Sequence, residues 1–478
     1  MLKVLMVASE ANPFAKTGGL ADVLGSLPGA LIKQGVDVRV IMPKYGTISP
    51  VLRERIQHKE TIYVRVSWKN QFCGIEQTEY NGVTYYFIDN EYYFKRDGIY
   101  GFDDEAERFA FFCRAVLEAI PHLDFTPDIL HCNDWQTGMI PVLLEAQYRN
   151  RYIYENIATL FTIHNLRYQG EFSIPVFRDL FGLGEEYFTS DKLEFYGSAS
   201  FLKGGLTYSH ILNTVSNSYA KEIQNPFYGE GMDGLLRSRR HSLHGIVNGI
   251  DYDEYNPQTD SFIFQNYNQK TLEDKPKNKL ALQEELNMPV NGDIPAIGLI
   301  SRLVDQKGLD LIACILDDIM GEELQLYILG TGDNRYERMF QDAAYRYPGK
   351  VSANIRFDNG LAHKIYAASD LFLMPSLFEP CGLGQLISLR YGTLPIVRET
   401  GGLKDTVLSY NEKTGEGNGF SFANYNAHDM LFTIKRALQV YKYKDIWSKL
   451  QETAIVGDYS WQYSAGKYID LYSTLKGK

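Results

Sequence analysis

The chain has 478 residues, of which 45% are hydrophobic, and carries a formal charge of −11. Single hydrophobic cores stop growing near ~250–300 residues, so this length predicts two domains, and the apolar content excludes wholesale disorder. The acidic balance argues against a nucleic-acid or anionic-membrane binder, but leaves room for a small basic site that takes a phosphate.

No apolar run approaches the ~18–20 residues that cross a bilayer. Lys3 ahead of an apolar stretch imitates a signal peptide, but the stretch is short and ends at Glu10. It reads as a buried first strand, over 4–8. A Gly-rich turn and a helix over 21–34 follow, then a strand over 36–42. Residues 68–94 alternate apolar and polar positions and predict an antiparallel addition. Asp103 or Asp104 is placed to cap a helix whose apolar positions Phe109, Phe112, Cys113, Val116, Leu117 and Ile120 recur at i, i+3, i+4, with Pro121 as its stop. Strands are expected over 129–132, 159–163 and 211–215.

The second half repeats the rhythm. Strands are expected over 296–300, 326–329, 355–357, 371–374 and 395–397, separated by helices over 307–319, 335–346, 361–368 and 382–391. Alternation at this spacing means parallel sheets covered on both faces, hence two doubly wound domains. The polar, least patterned stretch 251–292 places a hinge at its start. The expected domains are 1–250 and 251–460, and the ligand is expected in a cleft between them, at the carboxyl ends of strands.

Loops after strands carry the candidate chemistry. Lys16-Thr17-Gly18-Gly19-Leu20 combines a cation with glycines that let a ligand approach the backbone before a helix. It is neither G-x-G-x-x-G nor a Walker loop, and serves equally well as a plain βα turn. Arg302 and Lys307 leave the first strand of the second half and suit a diphosphate. Glu379, in Phe378-Glu379-Pro380-Cys381-Gly382-Leu383-Gly384, accepts hydrogen bonds only when ionised, so it can hold sugar hydroxyls, oppose a developing positive charge, or cap a helix. His164-Asn165, Asn133-Asp134-Trp135 and Asn248-Gly249 end other strands. His131 and Asp134 suggest a metal, but no third ligand has recognisable spacing. Five cysteines, with no C-x-x-C, predict neither a zinc site nor a disulfide framework, and favour a reducing compartment, the cytoplasm.

These loops together resemble one family. KTGGLADV, TIHNLRYQG, TVSNSYAKEI, VNGID, SRLVDQKG and PSLFEPCGLGQLISLRYGTLPIVRETGGLKDTV are similar to the motifs of bacterial glycogen synthases and plant starch synthases, in order, over about residues 1–465. The resemblance implies a GT-B glycosyltransferase, with two Rossmann-like domains facing a deep cleft, that adds glucose from ADP-glucose to an α-1,4-glucan with retention. It implies no cofactor and no metal, and a last helix near 463–475, within 461–478, that crosses back to the first domain.

By that likeness Lys16, Thr17 and Gly19 border the diphosphate with Asp22 nearby, and Arg302 and Lys307 bind its phosphates. Glu379 contacts the donor glucose alongside Cys381, Gly382 and Leu383, His164 and Asn248 hold the sugar's hydroxymethyl end, and Phe357 lies under the adenine. Tyr100 and Asp134 lie towards the acceptor, glycogen or a malto-oligosaccharide. Two positions depart from the pattern. Gln136 stands where many relatives carry a histidine, and Ile387 stands where the wider GT-B group often has a second glutamate. The alternatives are a retaining transferase for UDP-glucose or a small acceptor, and a silent glucan- or nucleotide-binding protein. A pyridoxal-dependent phosphorylase is disfavoured by the chain's length and by the lack of its lysine motif.

Overall fold

The computed structural model describes residues 1–475. The chain divides into two compact units, one comprising Met1–Asn248 and the chain from Trp461, the other Gly249–Ser460. Both are doubly wound α/β domains.

The first unit is built on a nine-stranded sheet. Its strands are β1 (Lys3–Val7), β2 (Asp37–Pro43), β3 (Gln57–Val66), β4 (Lys69–Tyr80), β5 (Val83–Asp89), β6 (Ile129–Asn133), β7 (Ala158–Ile163), β8 (Ile211–Thr214) and β9 (Leu243–Gly245). The spatial order is β9-β8-β7-β6-β1-β2-β5-β4-β3. β1 lies parallel between β2 and β6, with Val4 opposite both Val38 and Ile129. Its Val4–Val7 run is wholly buried, as a strand covered on both faces must be. The antiparallel ribbon begins at Gln57, earlier than the alternation from 68 suggests, and β5 also joins β2 in parallel.

Two helices flank this sheet near the site, α1 (Gly19–Lys33) and α2 (Glu105–Ala119). Asp104 precedes α2 but its side chain does not cap it. The carboxylate instead takes both guanidinium arms of Arg96 at 2.6 Å, a bidentate ion pair that outcompetes a single N–H. The helix Trp461–Ser473 packs on α1, and its Tyr472 hydroxyl lies 2.8 Å from His131 Nδ1.

The second unit holds a six-stranded, all-parallel sheet of β10 (Ala296–Ile300), β11 (Gln325–Leu329), β12 (Val351–Asn354), β13 (Leu371–Met374), β14 (Leu394–Arg398) and β15 (Phe420–Phe422). The order is β12-β11-β10-β13-β14-β15. The strand expected over 355–357 is β12, and it ends before that segment. Leu326–Leu329 pairs with Val351–Asn354. Beyond Asn354, Asp358 caps the next helix by accepting the Leu361 N–H and also pairs with Arg356.

The unpatterned stretch conceals a helix, α3 (Lys275–Glu285). Its polar side is the buried one. Lys275 Nζ donates to Ala367 O at 2.7 Å and Thr393 Oγ1 at 2.8 Å, and Lys279 Nζ to Asp370 at 2.7 Å. Burial depresses the Lys275 ammonium to about 7. An inward face of lysine, asparagine and glutamine, with Leu282 its one buried apolar residue, leaves no apolar period to detect. Further helices are α4 (Leu309–Met320), α5 (Asn334–Arg346), α6 (Asn359–Ala368) and α7 (Gly384–Arg390). Among the described residues no helix is long and apolar enough to cross a membrane.

Candidate active site

In the second unit β10 and β13 are parallel neighbours, so the loops that leave their carboxyl ends emerge side by side. Gly308 adopts φ 71°, and a Cβ there would strike the Pro375 carbonyl, so only glycine lets the first loop lie against the second. The Leu377 N–H donates to Gln306 O at 2.9 Å and locks the two together.

This contact brings Lys307 Nζ to 2.7 Å from Glu379 Oε2, and the Ser376 hydroxyl donates to the same oxygen at 3.0 Å. Glu379 is buried and Lys307 mostly so. A pocket is lined by Arg302, Lys307, Ser376, Glu379, Gly382 and Leu383. Arg302 is exposed at its edge. The turn behind Glu379 is held by Gln385, whose amide donates to Cys381 O at 3.0 Å and Gly382 O at 2.9 Å, with Gly382 at φ 74°. Cys381 is buried, whereas Phe357 presents 89% of its surface beyond the end of β12. Two cations and a buried carboxylate around one pocket suit an anion with a polar, charge-developing group attached.

In the first unit the loops after β1, β6 and β7 meet. Lys16 Nζ pairs with Asp22 Oδ1 at 2.6 Å. Burial raises the Asp22 carboxyl, with Lys16 pulling the other way. Thr17, in the turn expected to border the diphosphate, gives both of its donors to Glu10. Its N–H lies 2.5 Å from Glu10 Oε2 and its hydroxyl 2.9 Å from Oε1. Gly18 and Gly19 remain exposed at the start of α1. Tyr100 donates to Glu10 Oε1 at 2.9 Å and lies 2.7 Å from Ser9 Oγ. Sequence reasoning passed over Glu10 and Ser376. The available signal for Glu10 was a charged residue just past a buried strand.

Asp134 has φ 56° and ψ 177°, a conformation that costs a non-glycine residue ~1–3 kcal/mol. Its Oδ1 accepts the His164 N–H at 2.7 Å and the Asn165 N–H at 3.4 Å, so the carboxylate shapes the neighbouring loop. Burial pushes it up to about 7, against those two N–H donors. Burial also lowers His164 to about 3, so its imidazole is neutral near pH 7. The Asn133 amide NH₂ donates to Val7 O and His131 O, each at 3.1 Å, which makes Asn133 Oδ1 the acceptor for His164 Nε2 at 2.9 Å. The His164 proton therefore sits on Nε2, and Nδ1 is an acceptor. Asn248, the last residue of the first unit before Gly249, is buried with Oδ1 unpartnered among the described residues. His131 uses Nδ1 on Tyr472 and Nε2 on Thr162, which accounts for both ring nitrogens. No group of three His, Cys, Asp or Glu residues is arranged for a metal among the described residues.

Residues 3–238 match the starch synthase catalytic domain family, and 287–452 match the glycosyl transferases group 1 family. The chain is 56% identical over 474 residues to a glycogen synthase of Desulforamulus reducens, covering 99% of both chains. It is 57% identical to a glycogen synthase of Clostridium perfringens, covering 99% of this chain and 98% of that one. The chain belongs to the glycogen synthase family.

Family membership makes it a glycosyltransferase, and its architecture is GT-B. The catalytic domain of starch synthase IV from Arabidopsis thaliana, bound to ADP and acarbose, is 33% identical and superposes with a TM-score of 0.91 over 100% of both chains. A sucrose-phosphate synthase from Thermosynechococcus elongatus shares the fold at a TM-score of 0.62 and 17% identity, covering 99% of each chain.

Proposed function

We propose that the chain transfers glucose from ADP-glucose to the non-reducing end of an α-1,4-glucan, with retention at the anomeric carbon, in glycogen biosynthesis. The observation that carries this is the pocket where Arg302 and Lys307 surround the buried Glu379 carboxylate. The relative solved with ADP and acarbose supports an adenine nucleotide and a glucan-like ligand.

In this reading Arg302, Lys307 and Lys16 stabilise the charge that grows on the departing diphosphate. Glu379 faces the glucose, where its carboxylate stabilises positive charge on the ring. The hydrogen bonds that its carboxylate takes from Lys307 and Ser376 both fall on one oxygen, which suits an electrostatic role better than double displacement. The anomeric C–O bond to phosphate breaks, the acceptor's 4-hydroxyl oxygen bonds to the same face, and its proton passes to the departing phosphate. Gly382, Leu383 and Cys381 lie behind the sugar and phosphate. His164, neutral with Nδ1 as acceptor, takes a hydrogen bond from the sugar's hydroxymethyl, with Asn248 beside it. Phe357 stacks on the base, and Tyr100 and Asp134 belong to the acceptor side. No cofactor is required, and the expected location is the cytoplasm.

The test is kcat/KM for ADP-glucose and UDP-glucose at fixed glycogen. Two or three base-reading hydrogen bonds worth ~0.5–1.5 kcal/mol each give ~10–10³-fold preference for ADP-glucose. Equal values, or a preference for UDP-glucose, would overturn the donor assignment. No transfer from either would favour a silent binder.

A further inference from the structure

Glu10 lies three residues beyond β1 and is 4% exposed. A buried carboxylate needs donors, and this one takes them from two separate segments. Thr17 supplies its N–H at 2.5 Å and its hydroxyl at 2.9 and 3.1 Å, while Tyr100 supplies its phenol at 2.9 Å. Ser9, next to Glu10, holds the same phenol at 2.7 Å. Hydrogen bonds to an ionised acceptor are the stronger kind, so this carboxylate draws the turn and the tyrosine loop onto one point.

We propose that Glu10 is a positioning residue that sets the Lys16–Gly19 turn and the Tyr100 ring together, so that one carboxylate governs both donor and acceptor binding. This rests on the glucosyltransferase reading above. By occupying both donors of Thr17, Glu10 leaves Lys16 and the exposed glycines as the parts of the turn that meet a diphosphate. A negative charge under an anion site opposes the anion. If Glu10 only filled space, a neutral glutamine of the same shape would serve as well or better. The proposal requires the opposite, because glutamine has a single acceptor oxygen for the four contacts.

The experiment compares Glu10→Gln, Glu10→Ala and Tyr100→Phe with the wild type. It uses the KM for ADP-glucose, the KM for glycogen, kcat, the Kd for ADP, and amide hydrogen exchange. Glu10→Gln is expected to raise both KM values and lower kcat/KM about 10-fold or more, with Glu10→Ala near 10²-fold, the scale of a roughly 1 Å misplacement. Tyr100→Phe, which removes one hydroxyl, is expected to raise the glycogen KM while the ADP Kd stays within about twofold. Glu10→Gln is also expected to speed exchange at residues 16–20 and 98–101 together, whatever the reaction. Values for Glu10→Gln within about threefold of wild type, a rise in only one KM, or unchanged exchange in either segment would each overturn the proposal. If the wild type fails to transfer glucose from ADP-glucose, the functional reading falls by itself, and the exchange result alone decides the role of Glu10.

Discussion

Lys307 Nζ and Glu379 Oε2 lie 2.7 Å apart although 72 residues separate them. Each offsets the other's charge where water is largely excluded, so the pocket is lined by a compensated ion pair rather than by a bare cation and a bare anion. In the proposed reading an incoming diphosphate competes with Glu379 for Lys307.

Glu379→Gln is expected to fold normally and to lower turnover ~10²-fold or more, the scale of one preorganised electrostatic contact. Lys307→Met leaves a buried carboxylate without its cation and should cost ~1–3 kcal/mol of stability. The double variant should recover part of that cost, because the remaining amide is neutral. Denaturation midpoints and turnover for all three variants check this. Additive stabilities would show that the pair is not coupled.

Phe357→Ala should leave the melting temperature unchanged, since the ring is 89% exposed and supports no core. It should weaken ADP binding several-fold, as the loss of a stacking surface does. Calorimetric titration of ADP decides it, and an unchanged Kd removes Phe357 from the base site.

Asp134, raised to about 7 by burial, binds its proton more tightly folded than unfolded. Its contribution to stability is fully present below the ordinary carboxylate range and is lost as pH rises through about 7. His164 runs the other way. Lowered to about 3, it stabilises the fold above its ordinary range and loses that contribution as pH falls towards 3. The stability of wild type relative to Asp134→Asn should therefore decline from pH 4 to about pH 8, then level off. Denaturant titrations across that range measure it, and a flat difference would contradict the burial of this carboxyl.

Tyr472→Phe removes the hydroxyl that bonds His131 Nδ1, leaving a fully buried ring nitrogen unpaired. A loss of ~1–3 kcal/mol is expected, read from urea midpoints. Values near zero would mean that the Tyr472–His131 hydrogen bond adds no net stability.

Transfer should survive EDTA, because the proposed reading assigns the diphosphate's charge to cationic side chains such as Arg302 and Lys307. Complete loss restored by Mg²⁺ or Mn²⁺ would contradict that assignment.

Much of the fold was legible because doubly wound domains bury each central strand on both faces, which writes contiguous apolar runs such as Val4–Val7 and Ala296–Leu299. Where burial was polar, legibility failed. α3 turns Lys275, Asn278, Lys279 and Gln283 inward, so its stretch shows little apolar pattern. β12 ends in Asn354, whose amide donates to Ile328 O at 3.1 Å, and the apolar Ile355 and Phe357 beyond it imitated the strand.

The sequence by itself determined the alternation of strands and helices, the Gly-rich turns at strand ends, and the cations and carboxylate those turns carry. These are local properties, set by side-chain period and backbone freedom. Only the tertiary structure decided which charges meet. Lys307 reaches Glu379 because β10 and β13 are parallel neighbours. Glu10 claims Thr17 and Tyr100 because a buried carboxylate must find donors wherever the fold supplies them. Such pairings depend on strand order and register, which place residues tens of positions apart within 3 Å, and no local pattern records that distance.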